Sequence, residues 1–251
     1  MFQLVKVSLQ KQMWEIKNNR FRLFFGLIVN IILLVFFYYS MANQKDTNIL
    51  GLGYPTVILI YSLLWLILSS FSQVSNIITN EAKIGTIEQL IVSPYGMKNL
   101  MLIRLFSQSC ISIFFITVVL IVSNTLTNNG GLFNVLNFII TLVIGIFGLY
   151  GIGIMLASVS LLSKEINLIT MVIKIGVLYL IIKFNTNFFI PFSYAKTILT
   201  DIILNNKPIT EYSYSFLGLF VLNSVMYFVI GLICFSFIEK VALKKGKIVG
   251  Y

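Results

Sequence analysis

The sequence contains no histidine, and only 10% of its 251 residues are charged. Without histidine there is no Ser-His or Cys-His nucleophilic pair, and the commonest side-chain ligand of transition metals is missing. Its two cysteines, Cys110 and Cys234, lie in apolar stretches far from any partner cysteine or acidic cluster, and read as small buried hydrophobes rather than metal ligands. A phosphate-binding loop is lacking as well. Gly246-Lys247 has neither the upstream glycine nor the following Ser or Thr, so ATP hydrolysis would need another chain.

The scarcity of charge excludes a soluble fold. A soluble domain needs about a quarter of its residues charged to cover its outside. Here 58% are apolar and the mean hydropathy is +0.96, which selects the membrane class. The net charge of +10 raises the question of nucleic acid, and the placement of the bases answers it. Lys6, Lys11, Lys17, Arg20 and Arg22 precede the first apolar run, and Lys240, Lys244, Lys245 and Lys247 follow the last. Bases beside membrane spans set orientation and meet anionic lipid headgroups, so the expected partner is lipid and not nucleic acid.

A helix rises 1.5 Å per residue through a hydrocarbon core about 30 Å thick, so a span needs about 20 mostly apolar residues. Six segments qualify, at about 21–41, 55–79, 102–123, 133–161, 166–182 and 214–238. The first is read as a retained span rather than a signal peptide: its charged leader is too long, and its apolar run exceeds the usual h-region. The uncharged stretch from Leu105 to Ser163 holds two spans, joined by the turn Asn128-Asn129-Gly130-Gly131. Before the first span, Phe2, Val5, Leu9, Met13 and Ile16 recur at steps of three and four, with Trp14 near the boundary. That pattern predicts an interfacial amphipathic helix over 2–19.

Cytosolic loops are enriched in Lys and Arg. Placing both termini inside puts the terminal bases, Lys83, Lys98, Arg104 and Lys164 in the cytosol, against Lys45, Lys196 and Lys207 outside. The expectation is a multi-pass chain in the plasma membrane with both termini cytosolic. Low Arg with abundant Asn, Ile and Lys fits an AT-rich bacterial genome.

Between the second and third spans, Asn80 to Leu100 reads N-E-A-K-I-G-T-I-E-Q-L-I-V-S-P-Y-G-M-K-N-L. Ile84, Ile87 and Leu90 or Ile91 share one helical face, and Glu81, Gly85 and Glu88 another, so a short amphipathic helix is predicted, ended by Pro94. Gly96 then allows a tight reversal into the third span. One reading is a loop helix resting on headgroups, but two acids against an anionic leaflet suit adhesion poorly.

This stretch resembles the type-2 ABC transporter permeases, whose second and third spans are joined by a Glu-x-x-x-Gly-Thr-Leu-Glu-x-Leu-x-Val-Ser/Thr-Pro segment. The matching residues are Glu81, Gly85, Thr86, Glu88, Leu90, Val92, Ser93 and Pro94, with Ile87 in place of the commoner Leu. The resemblance implies an all-α membrane protein of six transmembrane helices, with a cytosolic coupling helix and short re-entrant helices before the last span. It also implies that Glu81, Ile84, Gly85, Thr86, Ile87, Glu88, Leu90 and Pro94 dock in a groove of a cytosolic ABC ATPase. Two ATPase copies would bind the ATP and Mg, and a second permease, identical or related, would complete the pathway, most relatives being exporters.

Three further features follow. Ser62, Ser69, Gln73, Asn76 and Asn80 form a polar stripe on the second span, serving interhelical hydrogen bonds or facing the pathway that the resemblance places beside the second and fifth helices. Lys174, mid-way along the fifth span, either snorkels to the interface or faces a wet pathway, where it would bind an anionic substrate group. The linker from Lys183 to Ser213 holds Asn187-Phe188-Phe189-Ile190-Pro191 and then the apolar run Ile198 to Leu204, too short to span. It resembles the re-entrant helices of such permeases, with Phe188, Phe189 and Pro191 as a candidate outer gate; a surface loop is the alternative. Gly145, Gly148, Gly151, Gly153 and Ala157 are read as helix-packing residues. A self-contained carrier or channel would call for inverted repeats or ion-binding acids in the membrane, and an intramembrane enzyme for a catalytic pair at that depth. The first signature is not seen, and only Lys174 with a nearby serine approaches the second.

Overall fold

In a computed structural model, residues 96–126, 134–160, 167–184 and 186–244 are described, with Gln10, Trp14, Lys17, Asn18, Ile28, Val29 and Ile32. These seven early residues are helical and exposed. The remainder of the expected interfacial helix and first span, the whole second span, the segment Glu81 to Pro94 and the turn at 128–131 lie outside the described residues.

The described part is almost entirely helical, with no strand among its residues. In order come α1 (Gly96–Leu126), α2 (Val135–Ser160), α3 (Asn167–Lys183), α4 (Ser193–Asn205), a short 3-10 turn (Ile209–Glu211) and α5 (Tyr214–Lys244). Three of them, over Gly96–Val118, Val135–Val159 and Tyr214–Lys244, are long and apolar enough to cross a membrane. At 17 residues, α3 is about 25 Å long by its rise and falls just short of that length. Gly96 opens α1 at φ +71°, a left-handed conformation that glycine adopts without penalty; the chain on the other side of the expected reversal lies outside the described residues.

Among the described helices, α2 stands at the centre. Of its span, 67% is buried, against 22% for α5, which therefore keeps one broad face outward. Phe138, Leu142, Leu149, Ile154 and Ala157 of α2 are fully or almost fully enclosed. Its principal partner is α5, through a seam of small residues. A Cβ built on Gly148 would stand 3.4 Å from Ser224 Cα, and one on Gly151 2.2 Å from the Tyr227 carbonyl oxygen. In lipid, which is as apolar as leucine, helices associate through such close packing rather than by escape from water. The successive pairs Gly148–Ser224 and Gly151–Tyr227 make α2 and α5 parallel. The chain leaves α2 at one end and enters α5 at the other, and α3 and α4 carry it back between them.

Hydroxyls within the spans mostly bond to their own helix. Ser107 Oγ donates to the Ile103 carbonyl at 2.6 Å, Thr117 Oγ1 to Ile113 at 2.8 Å and Thr141 Oγ1 to Asn137 at 2.9 Å. This back-bonding satisfies a polar side chain in an apolar phase without any partner helix. One expectation is corrected: Cys110 is exposed on α1 and Cys234 only half-buried on α5. An apolar run marks removal from water, and a lipid-facing surface meets that need as well as a protein interior does.

Candidate functional site

The helix α4 packs antiparallel to α5. Asp201 meets Tyr212, the Tyr194 ring lies 5.2 Å from that of Phe216, and the carbonyls of Ile190 and Phe189 meet Asn223 and Tyr227. The turn that precedes α4 therefore sits beside residues 223–227 in the first half of the 31-residue α5, about 14–20 Å from its first residue. Non-helical backbone at that level of an apolar helix needs every polar group paired.

The pairing is nearly all local or from α5. Asn187 and Ser193 close the turn: Ser193 Oγ donates to the Asn187 carbonyl at 2.5 Å and accepts the Asn187 N–H at 3.3 Å. Asn187 Oδ1 accepts the Phe189 N–H at 2.9 Å, an Asx turn, and the Ile190 N–H bonds the Asn187 carbonyl at 3.1 Å. From α5, Asn223 Nδ2 donates to the carbonyls of Phe188 at 2.7 Å and Ile190 at 3.4 Å, and Tyr227 Oη donates to that of Phe189 at 2.6 Å. Spaced four apart, Asn223 and Tyr227 share one face of α5.

Phe192 anchors the other side. Its φ of 68° is unusual for a bulky residue, and its ring is buried against α2. A Cβ on Gly145 would come within 2.7 Å of that ring and of Ala195 Cβ, so the glycine makes room for both. Of the candidate gate residues, Pro191 is buried, Phe188 packs partly against the core, and Phe189 alone stands out, 82% exposed. Beside them, the Ser224 hydroxyl is the one buried side-chain polar atom among the described residues without a hydrogen-bond partner.

The far end of α4 is tied down by a second cluster. The N–H groups of Asn206 and Lys207 both reach the Asp201 carbonyl, with Asn206 left-handed, an arrangement that closes the last turn of the helix. The Asp201 carboxylate accepts the Tyr212 hydroxyl and, at 3.1 Å, the Asn205 amide. Lys207 Nζ lies 4.4 Å from the centre of the Tyr212 ring, which stacks on Phe216. Burial, then the bond to Asp201 and the charges of Asp201 and Glu211, hold the Tyr212 hydroxyl above its ordinary pKa. Partial burial lowers that of Lys196, whose Nζ donates to the Phe184 carbonyl at 3.2 Å and ties α4 to the end of α3.

The backbone of Lys174 lies near the middle of α3, and its side chain is outside the described residues. Glu81, Ile84, Gly85, Thr86, Ile87, Glu88, Leu90 and Pro94 also lie outside them, as do Ser62, Ser69, Gln73 and Asn76. Sequence reasoning did not single out Asn223 and Tyr227. The available signal was an amide within an apolar span followed one turn later by a tyrosine, the kind of polar pair that finds work across helices.

Comparisons of the chain with protein families, with curated proteins and with solved structures find no match.

Proposed function

We propose that this chain is the membrane subunit of an ATP-driven exporter in the plasma membrane of a bacterium. It spans the bilayer six times with both termini cytosolic, and pairs with a second permease, identical or related, and with two copies of a cytosolic ABC ATPase that carry ATP and Mg. The reading is carried by the segment Glu81 to Pro94, whose spacing of acids, Gly85-Thr86 and terminal Val92-Ser93-Pro94 matches the coupling segment of type-2 ABC permeases. That segment leads directly into the left-handed Gly96 that starts α1, so movement there would pass into a long apolar helix. The antiparallel α4, packed against both of the parallel helices α2 and α5, fits the re-entrant element of such permeases.

In this account the apolar ridge Ile84, Ile87 and Leu90 fills the ATPase groove, and Glu81 and Glu88 pair with bases at its rim. Ser62, Ser69, Gln73, Asn76 and Lys174 line the pathway, and the Phe188–Pro191 turn closes it on the outer side, with Phe189 as the projecting side chain. Reversing the charge at Glu88 tests the docking role. Glu88→Lys is expected to insert normally but to uncouple ATP hydrolysis from transport, and transport at the parent rate would refute that role.

A further inference from the structure

We infer that Asn223 and Tyr227 are positioning residues: their donor groups on α5, rather than the packing of the turn itself, fix where the Phe188–Phe189 tip stands. The bonds within the turn serve the carbonyls of Asn187 and Ile190, whereas those of Phe188 and Phe189 are served from α5, by Asn223 at 2.7 Å and Tyr227 at 2.6 Å. Asn223 is 1% exposed, and its single nitrogen reaches two carbonyls, so both of its N–H groups are committed to the turn. A carbonyl stripped of its donor loses the partner that fixes it beside α5, so the tip would move until the carbonyl found another. The competing anchor is steric, consisting of the buried Pro191 and the Phe192 ring lodged over Gly145. The two anchors make different demands: a packing role needs only volume at position 223, while a positioning role needs N–H donors.

The consequence for transport, that a loosened tip closes the pathway poorly, rests on the outer-gate reading above, but the position of the tip does not. Hydrogen exchange of the full-length chain in lipid nanodiscs, followed on peptides covering 184–195, therefore reads the inference by itself. Asn223→Leu keeps the volume and removes the donor, and Asn223→Asp keeps the shape and sets an acceptor against two carbonyls. Both are expected to speed exchange in the turn about tenfold while α2 peptides keep the parent rate. Tyr227→Phe, which deletes one hydroxyl, is expected to give a smaller increase in the same peptides. Parent-like exchange in Asn223→Leu would overturn the inference in favour of packing. Should that variant fail to insert, Tyr227→Phe decides, and unchanged exchange there overturns it equally. A fast turn in a chain that binds no ATPase would uphold the inference and count against the transporter reading alone.

Discussion

Gly151 of α2 and Gly231 of α5 meet backbone to backbone: a methyl group on Gly231 would stand 2.3 Å from the Gly151 carbonyl oxygen. No flexible side chain can yield there, so the helices themselves would have to part. Gly151→Ala and Gly231→Ala are each expected to destabilise the chain by about 2 kcal/mol or more, through loss of the α2–α5 seam. Gly218 has no atom within 4 Å of such a methyl group. Gly218→Ala is expected to be neutral or to stabilise by up to about 1 kcal/mol through helix propensity. Thermal unfolding of the three purified variants in one detergent gives the comparison, and equal midpoints would contradict it.

Neighbouring residues on α5 should respond with opposite sign. Asn223 is buried and satisfies two carbonyls, whereas the Ser224 hydroxyl is buried without a partner. Removing a donor that others depend on costs about 1–3 kcal/mol, while removing an unsatisfied hydroxyl costs nothing or helps. Asn223→Ala should therefore lower the unfolding midpoint and Ser224→Ala leave it unchanged or raised. A loss at Ser224 as large as that at Asn223 would show that the hydroxyl is bonded after all.

The Asp201–Tyr212 contact makes a prediction in pH. Tyr212 is held above its ordinary value of 10.0, so the folded chain binds this proton more tightly than the unfolded chain does. The stabilisation is thus complete below pH 10.0 and is lost as the pH rises through the folded value. Tyr212→Phe cannot ionise, so the parent should lose stability faster than the variant above that pH, the other tyrosines and the lysines being common to both. Parallel pH profiles would place Tyr212 in solvent.

For Lys174 the expected outcome follows from its place near the centre of α3. If the ammonium faces the pathway and binds an anionic group, Lys174→Met lowers transport while the amount of inserted protein holds or rises, since an apolar side chain enters a span more readily than an ionised one. Transport at the parent rate would assign the side chain to the interface instead.

Hydropathy located the start of α2 and the end of α3 to within two residues, 133 against Val135 and 182 against Lys183, because the chain turns polar at Asn134 and Lys183. It placed the start of α1 at 102 and the end of α5 at 238, whereas the helices begin at Gly96 and run to Lys244. Charge marks where lipid ends, but residues such as Met97, Lys98, Glu239 and Lys240 continue a helix readily beyond that point. The run Ile198 to Leu204 exposed the body of α4 but not its start at Ser193, where a left-handed Phe192 replaces the usual capping residue. The Asn223–Tyr227 pair was hidden for another reason. Asn223 and the Phe188 carbonyl are 35 residues apart, and a lone amide in an apolar span has no period from which its partner could be read. The glycines at 145, 148 and 151 were legible as packing residues, since only a close neighbour justifies three within two turns of a helix.

A permease of the proposed kind works with an ATPase carried by another chain. Affinity purification of the full-length chain from its native membrane in mild detergent tests this most directly. A Walker-motif ATPase is expected to co-purify, together with a second permease subunit, and Glu88→Lys is expected to lose the ATPase while keeping the permease. A stable assembly carrying no ATPase would contradict it.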